Sequence, residues 1–426
     1  MRLKPGNLLA ADRRPITGLL TANTISQIGN EFSYLAIPWF VLATTGSASQ
    51  TGITVAVGVV PMILVGIFGG AIVDRLGYKQ SSMVSDVLSG LSVLAIPLLH
   101  QTVGIAFWQL LALVFLGAVL DGPGRTARMA LFPELVHRVG LDLDRSNAGY
   151  QTTSRIAELL TPPLAGVLIA VMGAGNLLWL NAASFLLSTL VVARFVPAIA
   201  PSATAAPLGG LRGYLGEVKE GFRFVFGKPV LVWMTLSFAI GSLVAEPLYA
   251  VILPVYANQE WGSAVQLGFT FSALGAGSLI GNGVYVALSH RLSRGRLLIG
   301  GFAIRAVAFS VMITMPEWWL VAIAVFIGAV ALEPINPMTM SVLQEQVPSG
   351  MRGRVFGARG ALQSSTLPIG IVVYGFLMSS LGLRGTLVVF VVLNLALPLL
   401  MASSKVLRTI PRASPAKPVA AFGESG

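Results

Sequence analysis

Residues 70–79 read Gly-Ala-Ile-Val-Asp-Arg-Leu-Gly-Tyr-Lys, a short polar segment between two long apolar runs. The run before it covers residues 49–73, and about 20 apolar residues in a helix suffice to cross the ~30 Å hydrocarbon core of a bilayer. Asp74 and Arg75 follow directly where that run ends. Because Gly70 and Gly77 carry no side chain, two helix ends can approach closely here. The segment therefore predicts a tight turn between two membrane-spanning helices.

The composition of the whole chain agrees with a membrane protein. Of its 426 residues, 55% are apolar and 11% are charged, whereas soluble proteins carry about 25% charged residues. The mean hydropathy is +0.80. The chain contains no cysteine and three separated histidines, so we expect no disulfide, no thiolate chemistry and no metal site. An all-α integral membrane protein is predicted.

Twelve apolar runs are long enough to span a bilayer. Many of the 47 glycines and 24 prolines lie inside these runs, which membrane helices tolerate. The predicted spans are residues 16–42, 49–73, 80–99, 104–130, 148–172, 176–196, 230–257, 265–288, 297–315, 318–344, 357–381 and 385–403.

Lysine and arginine are concentrated in every second loop between these spans and near both ends of the chain. The alternate loops contain one basic residue, Arg384; they are residues 44–50, 100–103, 173–176, 258–264, 316–318 and 382–385. Basic loops stay in the cytoplasm, so we expect both termini there, in a multi-pass protein of the plasma (inner) membrane. This pattern accounts for the net charge of +11, and no nucleic-acid partner is needed to explain it.

The spans divide into two groups of six. The predicted organisation is an N-terminal six-helix lobe at 1–196, a cytoplasmic linker at 197–229, a C-terminal six-helix lobe at 230–404 and a cytoplasmic tail at 405–426. In the linker, apolar residues at helical spacing predict an amphipathic helix on the cytoplasmic face. Gly66 and Gly70 match Gly277 and Gly281 at an offset of 211 residues, as expected for a transporter built from two repeated halves.

Residues 70–79 resemble the G-x-x-x-D-R-x-G-[RK]-[RK] signature of the major facilitator superfamily, with Tyr78 where that family usually has arginine. The resemblance extends to twelve spans in two halves joined by a long central loop. It implies two pseudo-symmetric six-helix lobes that rock around a central cavity. It also implies a cytoplasmic gate in which Asp74 meets basic residues that follow span four or enter span eleven. The predicted gate residues are Gly70, Asp74, Arg75, Gly77, Lys79, Arg125, Arg128 and Arg354.

Within the superfamily, residues 82–90, 143–150 and 352–355 are similar to the Tap-type multidrug exporters of actinobacteria. This resemblance implies proton-driven export of drugs such as tetracyclines and aminoglycosides. Span one departs from that family, because Gly29-Asn30-Glu31 stands where Gly-Asp is common and one residue turns a helix by about 100°. Span five lacks the two early glycines of the exporter motif but keeps its proline and small residues, which predict a kinked, closely packed helix. These packing residues are Pro162, Pro163 and Gly166.

Charged side chains inside the spans are the strongest lead to function, because each costs at least ~2.5–3.5 kcal/mol to place in a membrane. Glu31, Glu246 and Glu333 fall in spans one, seven and ten, which the superfamily resemblance places around the central cavity with span four. A carboxylate there could bind a cationic drug and a proton in turn; alternatively, it pairs permanently with Arg305 or faces water without a role. The predicted substrate or proton site is Glu31, Glu246, Glu333, Asn30, Gln27, Tyr34, Arg305 and Asn336.

Other polar and aromatic residues have a structural interpretation. Asp86 and Asp121 lie near the cytoplasmic ends of their spans, within reach of water, and are predicted to form ion pairs or part of the gate. Arg155 and Glu158 are three residues apart on one helix face, which predicts a local ion pair. The glycines and alanines of spans eight and eleven predict close helix packing with no ligand. Trp39 and Tyr249 are further cavity candidates, although an aromatic residue in a span more often serves packing.

The sequence therefore predicts a secondary active transporter that exports amphipathic or cationic small molecules in exchange for protons. An uptake symporter for a metabolite and a lipid or lysolipid flippase of the same fold remain alternatives. No nucleotide-binding loop and no nucleophile with its base is recognisable, so we expect no enzymatic activity and no cofactor, with the proton gradient as energy source. The expected partners are small-molecule substrates, protons and the lipid bilayer, and a monomer is expected.

Overall fold

The structure is a computed structural model that describes residues 13–199, 210–288, 293–348 and 351–410. In that part of the chain it consists of helices joined by short turns, with no strand. The helices are α1 (Arg14–Thr45), α2 (Ala48–Leu76), α3 (Tyr78–Thr102), α4 (Phe107–Val139), α5 (Leu143–Met172), α6 (Ala174–Phe195), α7 (Gly210–Phe226), α8 (Pro229–Pro247), α9 (Leu253–Tyr256), α10 (Ala264–Leu288), α11 (Arg294–Ser310), α12 (Trp318–Leu332), α13 (Ile335–Gln346), α14 (Arg352–Ser403) and α15 (Lys405–Arg408).

Nine helical segments of the described residues are long and apolar enough to cross a membrane, so the chain is a multi-pass membrane protein. One of these segments, α14, is two helices in succession, because Gly382 interrupts it at φ 69° and ψ −178°. The interruption lies between the predicted spans 357–381 and 385–403. The α4 helix runs to Val139, past the predicted end at residue 130, so it extends beyond its apolar run. The total of twelve spans stays a prediction.

The helices form two packed groups. In the first group, α1–α6, which we call the N-lobe, α1 packs against α5 and α6, and α3 packs against α4 and α6. In the second, α8–α14, which we call the C-lobe, α12 packs against α10 and α11, and α8 packs against α14. The lobes meet mainly along two helix pairs, α5 with α10 and α2 with α14. This is the two-lobed, all-α architecture that the sequence predicts.

Glycine makes the closest contacts between the lobes possible. In the first helix pair, a side chain on Gly268 of α10 would overlap the carbonyl oxygen of Pro162 in α5. In the second, a Cβ atom on Gly52 of α2 would lie 3.1 Å from the Cα atom of Gly375 in α14. Membrane helices approach this closely only where small residues meet. We call these two contacts the glycine seal; both lie toward the loops that carry few basic residues.

The two lobes make fewer close contacts at the end of the molecule that carries the basic loops. Among the described residues, no ion pair joins the N-lobe to the C-lobe at this end. The first turns of α5 are exposed here, including Gln151 and Thr152. The close contacts between the lobes are therefore concentrated at the glycine seal.

The linker contains a helix where an amphipathic one is predicted. This helix, α7, packs against the start of α14, where a side chain on Gly221 would overlap the carbonyl oxygen of Arg354. Arg354 Nη1 also lies 2.6 Å from Glu220 Oε2. The linker helix is thus docked on the C-lobe. The predicted tail also begins with an ordered turn, α15, in which Leu407 is buried because it packs against α11.

A buried polar network holds the N-lobe together. Arg128 of α4 and Asp86 of α3 are 3% and 0% exposed, and Arg128 Nη1 lies 2.8 Å from Asp86 Oδ1. Ser188 Oγ of α6 donates to Asp86 Oδ2 at 2.6 Å, and Arg128 donates to Ser26 Oγ of α1 and Ser82 Oγ of α3. The expectation that water reaches Asp86 is wrong, because four helices enclose it; its predicted ion pair is present. We call this group the Asp86–Arg128 network.

Candidate functional site

A cavity of about 380 Å³ lies between the two lobes, beside the glycine seal. Residues of α1, α5, α8, α10, α11, α12 and α13 line it, near the middle of the longer helices. Four carboxyl groups and two guanidinium groups face this one space. They belong to Glu31, Arg155, Glu158, Glu246, Arg305 and Glu333.

Breaks in the helices place two of the acids. Glu246 precedes Pro247, after which the chain widens into a π-helical turn at Leu248–Ile252. Glu333 lies in the turn between α12 and α13, directly before Pro334. Proline has no N–H group and disturbs the helical hydrogen bonds around it, and π turns are frequent at functional sites. Glu31, in contrast, comes from the uninterrupted helix α1.

Three of the four acids form no salt bridge with any described residue. Glu158 pairs with Arg155, with Nη1 and Oε2 2.8 Å apart, as their spacing predicts. Glu333 Oε1 accepts one hydrogen bond, at 3.3 Å, from Asn282 Nδ2 of α10. Among the described residues no salt bridge involves Glu31, Glu246 or Glu333. The cavity therefore presents three carboxyl groups that the protein itself does not neutralise by direct pairing.

Arg305 lies in the wall of the cavity and is 5% exposed. Its guanidinium group stands over the ring of Phe302, 4.9 Å from the ring centroid, and its Nε atom has no acceptor in the described part of the chain. The structure shows no salt bridge between Arg305 and a cavity acid among the described residues, so the predicted alternative of a permanent ion pair is not seen. Arg305 places one positive charge beside the three unpaired acids.

Aromatic rings from both lobes also line the cavity. Tyr34 of the N-lobe and Phe271 of the C-lobe meet edge to face, with ring centroids 5.8 Å apart and an interplanar angle of 83°. The Tyr249 ring lies 6.2 Å from that of Phe271. Aromatic faces attract cations, so the rings and the acids favour the same kind of ligand. Asn336, also predicted, adds an exposed amide to the lining.

Two predicted site residues of α1 do not line the central cavity. Asn30 points about 100° away from its neighbour Glu31, and its Nδ2 donates to Asp121 Oδ2 of α4 at 3.4 Å. Gln27 lies one helical turn before Glu31 on the same face, where its Nε2 donates to the carbonyl oxygen of Ser154 in α5 at 3.4 Å. Trp39 lines a separate cavity near the loops that carry few basic residues.

The predicted gate residues whose side chains are described have different partners. Arg128 belongs to the Asp86–Arg128 network, Arg354 pairs with Glu220, and Lys79 Nζ donates to the carbonyl oxygen of Ala193 at 2.9 Å. Gly77 joins α2 to α3 at φ 82°, a conformation that favours glycine. Arg75 and Arg125 are exposed. The Asp74 side chain and the packing around Gly70 are outside what the structure describes, so the gate stays a prediction.

Sequence reasoning missed the contribution of α10. Its residues 271, 274, 275 and 278 all line the cavity, and this spacing marks one face of a helix. The glycines of α10 do serve close packing, as predicted, but the helix also completes the site, and Gly275 does both. Pro162 of α5 also lines the cavity, and Gly166 packs against the backbone at Ala264. Among the described residues, α4 contributes nothing to the lining, in contrast to the prediction, whereas α5 and α10 do.

The family model described as transmembrane secretion effector matches residues 13–419. The chain belongs to this family of the major facilitator superfamily. Multidrug efflux pump Tap of Mycolicibacterium fortuitum is 32% identical over 394 residues, which cover 91% of this chain and 94% of that protein. Tap of Mycobacterium tuberculosis is 30% identical over 91% and 92% of the two chains. These matches confirm the predicted resemblance to the Tap-type exporters.

Solved structures show the same major facilitator fold. The nucleoside transporter NupG superposes with a TM-score of 0.72 at 11% identity, over 91% of this chain and 98% of that one. A bacterial homologue of the human lysosomal transporter Spinster, in an inward-facing and unoccupied conformation, gives a TM-score of 0.70 at 15% identity, over 96% and 100%. The two relatives and the two solved structures named here are transporters.

Proposed function

We propose that the protein exports amphipathic or cationic small molecules in exchange for protons, as a multidrug exporter of the plasma membrane. The observation that carries the proposal is that Glu31, Glu246 and Glu333 face one cavity and form no ion pair with any described residue. Two relatives named multidrug efflux pumps, similar over nearly their whole length, support the substrate class.

The exchange follows from the chemistry of the carboxylate. A carboxylate in a water-poor cavity attracts a positive charge, which a proton or an organic cation can supply. If each displaces the other, the lobes carry one ligand in each direction. A ligand shifts the equilibrium between the two access states only by its difference in affinity for them. The proton gradient then supplies the energy, without a cofactor and within one monomer.

A proton-release assay tests the proposal. Inside-out membrane vesicles with an acidic lumen and a pH-sensitive dye are exposed to a panel of cationic drugs. We expect drug addition to discharge the pH gradient, and Glu333→Gln to abolish this response. Glu317→Gln is the matched control, because Glu317 precedes the same helical segment but is exposed and lies outside the cavity. A wild-type protein that is folded and gives no response to any compound would refute drug export.

Alternating access requires the glycine seal to open and close. Gly268→Leu places a side chain against the backbone at Pro162, so we expect it to hold the seal open and to stop transport. Gly283→Leu is the control on the same helix, since a Cβ atom there meets nothing within 4 Å. Labelling of an introduced Ser278→Cys from each side reports which end is open, and the chain has no cysteine of its own. Equal labelling of both glycine variants would contradict this role of the seal.

One observation favours the flippase alternative. A groove of about 400 Å³ between α2 and α14 is lined entirely by apolar side chains, including Ile53, Val57 and Val373. An acyl chain fits such a surface, but no charged cavity residue lines it. Vesicles that contain a fluorescent lysolipid decide between the two functions. Lysolipid translocation without drug-dependent proton release would establish the flippase.

The orientation of the chain is part of the proposal. Basic residues in alternate loops support a cytoplasmic position for both termini. A reporter fused after Gly426 is expected to be active in the cytoplasm. Activity on the external side would refute this topology.

A further inference from the structure

A second cavity, of about 340 Å³, lies inside the N-lobe. It is enclosed by α1, α2, α3, α4 and α6, and most of its lining is apolar, for example Val55, Val59 and Leu113. Asp121 of α4 is the one acid among its described lining residues. No step of the proposed export so far uses this cavity.

Asp121 is poorly satisfied by its surroundings. Asn30 Nδ2 donates to its Oδ2 atom at 3.4 Å, while its Oδ1 atom is buried and receives no hydrogen bond in the described part of the chain. Arg128, on the same helix, is engaged by Asp86. An ionised carboxylate with a buried oxygen and no donor is costly. Protonation removes its charge and needs no additional space.

The second cavity is coupled to the first through α1. Tyr34 lines both cavities. Asn30 contacts Asp121, whereas the next residue, Glu31, faces the central cavity. A movement of α1 as one body therefore changes the surroundings of both acids together.

We propose that Asp121, with Asn30, is a separate proton-binding site of the N-lobe, distinct from the acids that bind the cationic substrate. The inference rests on the proposed proton exchange, but it assigns the proton to Asp121 in place of direct competition with the drug at the cavity acids. In one access state the Asp121 carboxylate takes up a proton from water and forms an O–H bond. In the other state that bond breaks and the proton returns to water on the opposite side. The drug and the proton then need not compete for one carboxylate.

The surroundings of Asp121 favour a proton over an organic cation as its ligand. Arg125, on the same helix, lines the cavity and repels any cation, but a proton binds the carboxylate covalently, removes the charge from the buried Oδ1 atom that receives no described hydrogen bond, and needs no further space. Arg128 and Asp86 are the other charged groups near enough to influence Asp121, and they neutralise each other. The described residues that α2 and α6 contribute, such as Thr54 and Asn181, are uncharged.

Two transport assays in proteoliposomes distinguish this site from the substrate site, and both use radiolabelled tetraphenylphosphonium as the probe. The first measures exchange of the probe across the membrane without a pH gradient. The second measures accumulation of the probe driven by a pH gradient. We expect Asp121→Asn to retain exchange and to lose gradient-driven accumulation to the level of protein-free liposomes. Asp121→Glu restores accumulation because it restores the acid. Asn30→Ala, which leaves the acid in place, shifts the pH at which accumulation is half-maximal without reducing exchange.

The outcomes are distinguishable. Wild-type accumulation by Asp121→Asn would overturn the inference and leave the proposed function intact. Loss of exchange together with accumulation in Asp121→Asn would overturn it as well, because Asp121 would then belong to the substrate site. A wild type that shows neither mode would refute the proposed function itself. Infrared spectroscopy gives an independent readout: the carboxylic C=O stretch that appears on acidification should lose one component in Asp121→Asn, and an unchanged spectrum would also overturn the inference.

Discussion

The Asp86–Arg128 network and the central cavity use the same kinds of side chain in opposite ways. In the network, one carboxylate and one guanidinium group pair at 2.8 Å and are almost completely buried. In the cavity, three carboxyl groups and Arg305 face one space without an ion pair among the described residues. When neighbouring groups pair with a charged side chain inside a membrane protein, that side chain stabilises the fold. A charge left unsatisfied is available to a ligand.

Removal of one member of the network is expected to have the largest effect. Asp86→Ala leaves the Arg128 guanidinium buried without its acid, and a broken buried pair typically costs about 3–5 kcal/mol of stability. Thermal unfolding in detergent should show a clearly lower Tm. Glu158→Ala is the matched comparison, because its pair with Arg155 is about 40% exposed and such pairs contribute about 0–1 kcal/mol. Equal losses in the two variants would remove the distinction between the regions.

Neutralisation of a cavity acid should affect binding and leave the fold intact. Glu246→Gln keeps the shape of the side chain and removes one negative charge, so we expect a monovalent cationic drug to bind about tenfold more weakly, which corresponds to ~1.4 kcal/mol. The Tm should stay at the wild-type value, because Glu246 has no ion-pair partner to lose among the described residues. Titration of the purified protein with a fluorescent cation measures the first quantity. A large fall in Tm would assign Glu246 to the fold.

The two arginines offer the sharpest contrast. Arg305→Met removes the positive charge of the cavity wall and retains an apolar contact with Phe302, so binding of a cation should tighten by about threefold to fivefold, or ~0.7–1 kcal/mol. Arg128→Met should instead destabilise the protein, because the buried Asp86 carboxylate would lose its cationic partner. Binding and unfolding measurements on both variants check this. Weaker cation binding by Arg305→Met would show that the arginine supports the ligand.

The aromatic lining is expected to give the smallest effect. Phe271→Leu keeps an apolar side chain and removes the ring that meets Tyr34 and Tyr249, and a cation–π contact contributes about 0.5–1 kcal/mol at accessible sites. Affinity for a flat aromatic cation should therefore fall by about twofold to fivefold. An aliphatic quaternary ammonium ion is a useful second probe. No loss for either ligand would leave the carboxyl groups as the source of cation affinity.

The sequence predicts the fold well because apolar runs and basic loops are local signals. Most helices begin and end near the ends of these runs, although α4 continues to Val139, and the break at Gly382 lies in a predicted loop. Glu31, Glu246 and Glu333 were identifiable because an acid inside an apolar run stands out. That they share one cavity followed from the superfamily resemblance, and the structure places them together.

Other features of the site depend on contacts between distant residues. Asp86 and Arg128 are 42 positions apart, and no local pattern distinguishes this paired acid from the unpaired Asp121. Asn30 and Glu31 are neighbours in sequence but serve different cavities, which only the rotation of α1 decides. Phe271 was hidden because an aromatic residue in a membrane helix resembles its apolar neighbours.

The glycine seal has a consequence for the conditions under which the protein works. Its two contacts join glycines to backbone atoms, and a neutral hydrogen bond of 2.7 Å from Ser272 Oγ to the carbonyl oxygen of Leu159 lies beside it in the pair of α5 and α10. Such contacts act over short distances and do not depend on ionic strength, unlike exposed charge pairs, which salt screens. A change in the salt concentration around the protein should therefore leave the closure at this end of the molecule unchanged.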